Sequence, residues 1–228
     1  MMSTAEPLLK LLVVTPTFDG GVRNTEAIIN LYQLPPHPKL VAYRKYQSPL
    51  ITLNRNQAWA DALNLRGAGM VTHLLMIDAD VCPVEEDWFD KLWKEFVRTG
   101  AKVMGAVVPI KDDSGETSTA VWEDRWKARR YSLDEVAAKE PSWTEGGLLV
   151  ATGCLLVDVR GTWADQIRFS IQDRIIKVGG KREADFIPED WGFCLYCHTL
   201  GIDVWATRVV KLVHWDGRTA YPNFREGK

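Results

Sequence analysis

Residues 73–83 of this chain have the sequence HLLMIDADVCP, the clearest strand signal in it. Its run of four apolar residues, 74–77, predicts a strand that is buried on both faces, as in the interior of a parallel sheet. Asp78 and Asp80 follow the run directly. Residues two apart in a strand point to the same face, so the spacing predicts that both carboxylates converge where the strand leaves the core. In open α/β sheets, that edge is where ligands bind.

The two carboxylates of this pair repel each other unless a positive group lies between them. A hard divalent cation such as Mg²⁺ or Mn²⁺ meets that need, because it binds one or two carboxylates together with diphosphate oxygens. A simpler interpretation is that the strand leaves the core through polar residues. The apolar run before the pair and its predicted position at the sheet edge favour the metal interpretation.

Strands alternate with helices in the first half of the sequence. Apolar runs predict strands over residues 8–14, 39–46, 73–80 and 102–110, and helical periodicity predicts helices over residues 25–31, 52–65 and 85–99. A polar, irregular stretch at 111–147 comes next, and then a predicted strand at 148–159, a helix at 188–200 and a final strand or strand pair at 203–214. The alternation predicts right-handed βαβ units. We therefore expect an α/β fold with a mostly parallel sheet flanked by helices and a more mixed second half.

Length and composition limit the class of protein. A chain of 228 residues that is 46% hydrophobic suits one α/β domain. The net charge of −2 gives no overall basic field for duplex DNA. The sequence contains no stretch of about 18 apolar residues, so it predicts no membrane span. The first ten residues, MMSTAEPLLK, do not resemble a signal peptide, so we expect a cytoplasmic chain whose four cysteines are free thiols.

Four segments follow one another along the chain: VVTPTFDG at 13–20, LNRNQAWADALNLRGAGMVTHLLMIDADV at 53–81, FIPEDWGFCLYCHTLGIDVW at 186–205 and KLVHWDG at 211–217. In this order they resemble the motifs of the GT-A class of nucleotide-sugar-dependent glycosyltransferases, in particular family-2-like enzymes. In that class a Pro-Thr type loop ends the first strand, an Arg-Asn helix precedes an Asp-x-Asp strand, and a Glu-Asp helix and a metal-binding histidine follow. The resemblance covers nearly the whole chain, and its specificity comes from the ordered set of motifs.

The resemblance implies a single GT-A-like domain over residues 1–228. Residues 1–110 would form the nucleotide-sugar-binding half, and residues 111–228 the acceptor half with a late metal-binding histidine. The implied activity is metal-dependent transfer of a hexosyl or pentosyl group from a nucleotide-diphosphate sugar to an acceptor hydroxyl. A UDP-sugar is the favoured donor, inversion is favoured over retention, and Mn²⁺ or Mg²⁺ is the implied cofactor.

The resemblance also assigns roles to individual residues. Asp80 would be the main metal carboxylate, His214 would complete the protein's share of the coordination, and Asp78 would share the metal or hold the ribose. Asp190 would be the general base that takes the acceptor proton, beside Glu189 in the acceptor site. The remaining nucleotide-sugar-binding candidates are Thr15, Pro16, Thr17, Asp19, Arg55 and Asn56.

Simpler interpretations exist for several of these residues. Glu189 and Asp190 lie where acids stabilise a helix N-terminus through its dipole. Arg55 fits a solvated helix charge almost equally well, and His214 alone fits the polar end of a strand.

The polar stretch 111–147 contributes candidates for acceptor binding. Trp122, Trp126 and Trp143 are candidate surfaces for stacking on an acceptor, although core packing is the more common use of a tryptophan. The sequence WEDRWKARR, residues 122–130, contains basic residues that would suit an anionic acceptor, including a modified nucleic acid, but a salt-bridged surface is the simpler interpretation. The whole stretch is also a candidate lid that orders when nucleotide binds.

Other functional classes rank lower. Cys194, Cys197 and His198 form a Cys-x-x-Cys-His motif with the spacing of a haem attachment site, but it falls inside a predicted helix. No second Cys-x-x-Cys pair supports a zinc site. The Asp-x-Asp motif also fits an aspartate-based, Mg-dependent phosphohydrolase, but Cys82 occupies a position that usually holds Thr or Val there. A catalytically inactive nucleotide- or sugar-binding module of the same fold is the non-enzyme alternative.

Overall fold

The computed structural model describes residues 9–33, 39–124 and 127–225. Within these residues the helices are α1 (Thr25–Gln33), α2 (Ile51–Gly67), α3 (Trp88–Thr99), α4 (Leu133–Ala137) and α5 (Glu189–Thr199), with a 3₁₀ helix at Thr162–Gln166. The strands of the first half are β1 (Lys10–Thr17), β2 (Lys39–Gln47), β3 (His73–Ile77), β4 (Val81–Pro83), β5 (Val103–Ala106), β6 (Glu116–Asp124), β7 (Lys127–Ser132) and β8 (Ser142–Trp143). The later strands are β9 (Leu148–Leu149), β10 (Cys154–Asp158), β11 (Gln172–Val178), β12 (Lys181–Ile187), β13 (Val204–Thr207), β14 (Leu212–Trp215) and β15 (Ala220–Pro222).

The central sheet has the strand order β2-β1-β3-β10-β5-β13-β8 among the described residues. Strand β1 pairs in parallel with β2 and β3, and β5 pairs in parallel with β13. Strand β10 runs antiparallel between β3 and β5, and β8 runs antiparallel at the edge. The predicted α/β class with a mostly parallel sheet is therefore confirmed.

The sheet is covered on both faces because its central strands are apolar on both sides. In β1, Leu12 and Val14 pack in the core that includes helices α2 and α5. Leu11 and Val13 pack in the opposite core with helices α1 and α3. All five residues of β3 are buried. A continuous apolar run of this kind is typical of a strand between two helical layers.

The stretch at 111–147 is more regular than its polarity predicts. Strands β6 and β7 form an antiparallel hairpin, and β9 pairs with β6 on its other side. Alternation explains this structure: Ala120 and Tyr131 point into the core, whereas the charged residues of these strands lie at the surface. Helix α4 begins with a capping box, in which the Ser132 and Glu135 side chains bond each other's backbone amides.

The end of the chain departs from the predicted final strand. Residues 203–214 divide into β13, in the central sheet, and β14, which pairs with β4 and β15 in a separate small sheet. The hairpin of β11 and β12 has no counterpart in the predicted elements. No helix of the described residues is long and apolar enough to cross a membrane.

Candidate functional site

A cavity of about 710 Å³ opens at the carboxyl ends of β1 and β3, the edge at which the sequence predicts a ligand site. Its volume is in the range of small-molecule and cofactor pockets. The lining residues come from the loop after β1, the start of α2, the turn after β3 and the segments at 111 and 215–217. They are Pro16, Thr17, Phe18, Asp19, Gly21, Val22, Arg23, Ser48, Pro49, Ile51, Asn54, Asp78, Ala79, Asp80, Lys111, Trp215, Asp216 and Gly217.

The Asp78–Asp80 pair lies in a turn, because β3 ends one residue earlier, at Ile77. The Val81 amide donates a hydrogen bond to the Asp78 carbonyl oxygen (3.1 Å), which closes the turn. The two carboxylates have different partners: Asp78 pairs with Arg55, and Asp80 pairs with Lys111. The turn, and not a shared strand face, therefore presents both side chains to the cavity that they line.

Asp78 is held in place by both its backbone and its side chain. Its carbonyl oxygen accepts a hydrogen bond from Asn24 Nδ2 (2.9 Å), and its amide donates to the Gly153 carbonyl oxygen (3.0 Å). Arg55 Nη2 lies 3.2 Å from Asp78 Oδ2. A Cβ at position 153 would approach methyl groups of Val81 and Val108 within 3.1–3.2 Å, so glycine is what allows this backbone to lie so close.

Arg55 is a buried ion-pair residue, not a solvated helix charge. It is only 4% exposed, and its Nε lies 3.1 Å from Glu189 Oε1 in the first turn of α5. The guanidinium therefore lies between the acid that follows β3 and the acid that begins α5. Its Nη1 atom has no hydrogen-bond partner among the described residues. Such a group stabilises the fold only while its carboxylates surround it, since an unpaired buried charge is costly.

Asp190 follows Glu189 in this charged cluster. Burial, and after it the Glu189 carboxylate, raise the pKa of the Asp190 carboxyl to about 7 against the opposing charge of Arg55. Asp190 Oδ1 accepts a hydrogen bond from the Trp191 amide (2.8 Å), as expected at a helix N-terminus. A carboxyl group that titrates near neutral pH is suited to general-base catalysis. Neither Asp190 nor Glu189 lines the cavity itself.

His214 reaches Asp80 because β14 pairs with β4, which places His214 opposite Val81. The Trp215 amide donates to the Asp80 carbonyl oxygen (2.9 Å) and closes the gap between the two segments. His214 Nδ1 lies 2.8 Å from the Pro109 carbonyl oxygen. A carbonyl oxygen can only accept, so Nδ1 carries the hydrogen and the neutral ring has its lone pair on Nε2.

Two nitrogen atoms lie beside the Asp80 carboxylate, one from His214 and one from Lys111. His214 Nε2 lies 3.6 Å from Asp80 Oδ1, and the Lys111 ammonium contacts Asp80 Oδ2. Burial alone would raise the pKa of Asp80, but His214 and Lys111 outweigh it and lower the pKa to about 2. The carboxylate is therefore ionised at any physiological pH.

The residues around Asp80 fit a divalent cation in part. The Asp80 oxygen and the His214 Nε2 lone pair face each other, which is unfavourable unless a proton or a metal ion lies between them. Donation from the distal ring nitrogen to a backbone carbonyl is the usual arrangement of a metal-binding histidine. In the part of the chain that the structure describes, no group of three or more His, Cys, Asp and Glu side chains is arranged to hold a metal. The protein thus offers two ligands, and diphosphate and water oxygens would have to supply the rest.

The loop after β1 is tightly bonded at the cavity wall. Thr17 Oγ1 accepts from the Gly20 amide (3.1 Å) and donates to the Gly21 carbonyl oxygen (3.0 Å). Asp19 Oδ1 accepts from the Gly21 amide (2.8 Å). Gly20 has a φ of +86°, a left-handed conformation that favours glycine. Of the residues predicted here, Pro16, Thr17 and Asp19 line the cavity.

Three predicted nucleotide-binding residues do not line the cavity: Thr15, Asn56 and the buried Arg55. Thr15 is fully buried, because β1 continues to Thr17 instead of ending at residue 14. Asn56 uses both ends of its side-chain amide on one residue: Nδ2 donates to the Phe169 carbonyl oxygen (2.8 Å), and Oδ1 accepts from the Phe169 amide (2.9 Å). Asn56 therefore fastens helix α2 to the loop before β11.

The sequence interpretation missed several residues of the cavity. Phe18 is 74% exposed, which makes it a candidate surface for a base to stack on. Arg23 lies over the Trp215 ring (5.2 Å to its centre) and donates to the Gly217 carbonyl oxygen (2.8 Å). Lys111 lies five residues after the end of β5, and no sequence motif surrounds it. An aromatic residue in the loop after the first strand was the one signal available in the sequence.

Of the predicted acceptor tryptophans, the structure describes Trp122 and Trp143. Trp143 is 7% exposed and meets Tyr131 edge-on, so its ring is not available to an acceptor. Trp122 is partly buried against the core. Trp126 lies outside the described residues. The basic residues nearby are largely paired: Lys127 and Arg129 with Glu123, and Arg130 over the Trp191 ring.

All four cysteines are free. Cys194 and Cys197 are fully buried in α5, and His198 Nε2 lies 2.8 Å from the Leu148 carbonyl oxygen. Burial raises the pKa of Cys82 to about 11 and of Cys154 to about 12. Cys194 and Cys197 are therefore core thiols, as the helical position of the Cys-x-x-Cys-His motif predicts.

Comparison with known proteins supports the fold only. No protein family model matches the sequence, and no curated protein matches it either. Among solved structures, the chain is similar to A197 from STIV, with a TM-score of 0.59 and 16% sequence identity. The likeness covers 94% of this chain and 91% of that one. Together with the sheet order, it confirms the predicted α/β fold class with a mostly parallel central sheet.

Proposed function

We propose that the protein is a metal-dependent glycosyltransferase that uses a nucleotide-diphosphate sugar. The observation that carries this proposal is the pair of Asp80, which lines the nucleotide-sized cavity, and His214, whose Nε2 faces the Asp80 carboxylate. Residues 1–110 would form the donor half and residues 111–228 the acceptor half.

The charge of the cavity supports a requirement for a cation. Its lining carries four carboxylates (Asp19, Asp78, Asp80 and Asp216) and two cations (Arg23 and Lys111), a net charge of −2. A diphosphate would be repelled by such a surface. Bound Mn²⁺ or Mg²⁺ would cancel that charge and stabilise the leaving diphosphate as the sugar–phosphate bond breaks. The nitrogen ligand of His214 suits Mn²⁺ somewhat better.

The protein's own residues would then orient the two substrates. Asp78 Oδ1 is buried without a hydrogen-bond partner among the described residues, and it would accept a bond from a ribose hydroxyl. Phe18 would stack on the base. Asp190 would take the proton of the acceptor hydroxyl. The hydroxyl oxygen would bond to the anomeric carbon of the donor sugar as the bond between that carbon and the diphosphate breaks. A base on the acceptor side implies inversion of configuration.

Release of nucleotide from donor sugars tests this function. The protein would be incubated with UDP-, GDP-, CDP- and dTDP-sugars, with Mn²⁺ or with chelator, and free nucleoside diphosphate would be measured. We expect one donor to be consumed with Mn²⁺ only, with a loss of at least 100-fold in Asp80→Asn, on the order of one transition-state charge interaction. Asp87→Asn is the control, because Asp87 is exposed before α3.

Two outcomes would contradict the proposal. Donor binding without turnover, with any acceptor class tried, would indicate an inactive binding module. Equal turnover with chelator would remove the metal from the mechanism while leaving the transferase in place.

A further inference from the structure

We propose that Lys111 is a resident counter-ion of Asp80, which yields this carboxylate to the incoming divalent cation and then binds the donor diphosphate. The inference rests on the proposed function and adds a residue that no glycosyltransferase motif in this sequence marks.

The contacts of Asp80 divide between its two oxygens. Oδ1 faces His214 Nε2 at 3.6 Å, and Oδ2 is held by the Lys111 ammonium. An ion that binds both Asp80 and His214 would lie close to the position of that ammonium. Two cations at contact distance repel each other strongly where water is partly excluded. Metal binding therefore requires the Lys111 ammonium to leave.

Lys111 is free to make this move. Its ammonium has no other hydrogen-bond or ion-pair partner among the described residues, and its side chain is 33% exposed. It begins the bend at 111–114, after the bridge that joins Pro109 to Thr117. A lysine carries a compact charge on a flexible four-carbon stem, so a shift of a few ångströms costs little.

Arg23, the other cation that lines the cavity, is less able to move towards a bound diphosphate. Arg23 is fixed by the Gly217 carbonyl oxygen and the Trp215 ring. Lys111 lines the same cavity, and a diphosphate bound there would offer it new oxygens once Asp80 belongs to the metal. The exchange would keep a positive charge on Asp80 in the empty protein and on the diphosphate in the loaded one.

Opposite changes in two affinities test the exchange. Lys111→Met keeps the length of the side chain and removes its charge. Without nucleotide, we expect this variant to bind Mn²⁺ about tenfold more tightly than the wild type, because the competing cation is gone. With saturating Mn²⁺, we expect it to bind UDP about tenfold more weakly. Titration of free Mn²⁺ by its electron paramagnetic resonance signal and calorimetry with UDP give the two values.

The controls separate charge from structure. Lys102→Met removes an exposed lysine at the opposite end of β5 and should change neither affinity. Lys111→Arg keeps the charge and should stay near the wild type in both assays. Unchanged Mn²⁺ affinity in Lys111→Met, or a loss of both affinities, would overturn the exchange. If the wild type binds no nucleotide, the proposed function fails, and the Mn²⁺ titration still decides whether Lys111 competes for Asp80.

Discussion

Replacement of Arg55 by methionine should cost more stability than any other single change of a charged residue near the cavity. Arg55 is 4% exposed and lies 3.2 Å from Asp78 Oδ2 and 3.1 Å from Glu189 Oε1. Methionine fills much of the same volume and removes the charge. Two carboxylates and the neighbouring Asp190 would then share a poorly hydrated space with no cation.

The expected loss follows from that geometry. Breaking a buried ion pair by removing one partner costs about 3–5 kcal/mol, because a charge stays buried without compensation. Arg55 serves two carboxylates, so we expect a loss of about 4 kcal/mol in the free energy of unfolding. Adding Glu189→Gln to the Arg55→Met variant should recover about 1–2 kcal/mol, since a buried amide is less costly than an unpaired carboxylate.

Urea unfolding at pH 7 measures these values, and a constant slope with denaturant would show that the compactness of the two states is unchanged. Arg98→Met is the matched control. Arg98 pairs with Glu95 on the surface of α3, so its loss should leave the unfolding midpoint almost unchanged. A loss below about 1 kcal/mol for Arg55→Met would refute the buried role of this arginine.

Three further predictions concern titration and local packing. The pKa of Asp190 rises from 3.8 to about 7 on folding, so the free energy of unfolding of the wild type should fall by up to about 4 kcal/mol as the pH rises from 4 to 7. Asp190→Asn should remove this fall. Equal pH profiles of the two proteins in urea unfolding would contradict the prediction. Burial lowers the pKa of His73 from 6.5 to about 4, so stability that is present above pH 6.5 should be lost as the pH falls towards 4. This loss should be up to about 3 kcal/mol larger in the wild type than in His73→Phe. Parallel losses in thermal melts would show that His73 does not contribute. Asn56→Ala removes two hydrogen bonds to Phe169 and should cost about 2 kcal/mol of unfolding free energy with unchanged affinity for nucleotide in calorimetry, whereas weaker binding would return Asn56 to the donor site.

The elements with a strong apolar pattern were predictable from the sequence. Strands β1 and β3 follow from continuous apolar runs, and helix α3 follows from its amphipathic period, although it begins at Trp88 instead of residue 85. The edge that carries Asp78 and Asp80 was also predictable, because buried parallel strands end where ligands bind.

The hairpin of β11 and β12 shows why other elements were not predictable. Even its large apolar residues lie in solvent: Ile175 is 70% exposed and Phe186 is 63% exposed. A strand that buries neither side gives no period of two in hydrophobicity, which is the signal on which the sequence prediction depends.

The missed site residues depend on distant contacts. Lys111 meets Asp80 across 31 positions of sequence, and nothing next to Lys111 marks this contact. Asn56 fits a family motif by position, yet its amide is used by Phe169, 113 residues further on. The motifs located the sheet edge, whereas the partner of each polar group follows only from the tertiary structure.

Calorimetry with nucleoside diphosphates would show whether the cavity is a metal-dependent nucleotide site. UDP, GDP, CDP and dTDP would be titrated into the wild type and Asp80→Ala, with Mn²⁺ and with chelator. We expect one nucleotide, with UDP favoured, to bind only when both Mn²⁺ and Asp80 are present. If no nucleotide binds under any condition, the glycosyltransferase proposal is wrong, and Asp78 and Asp80 are the polar end of a buried strand.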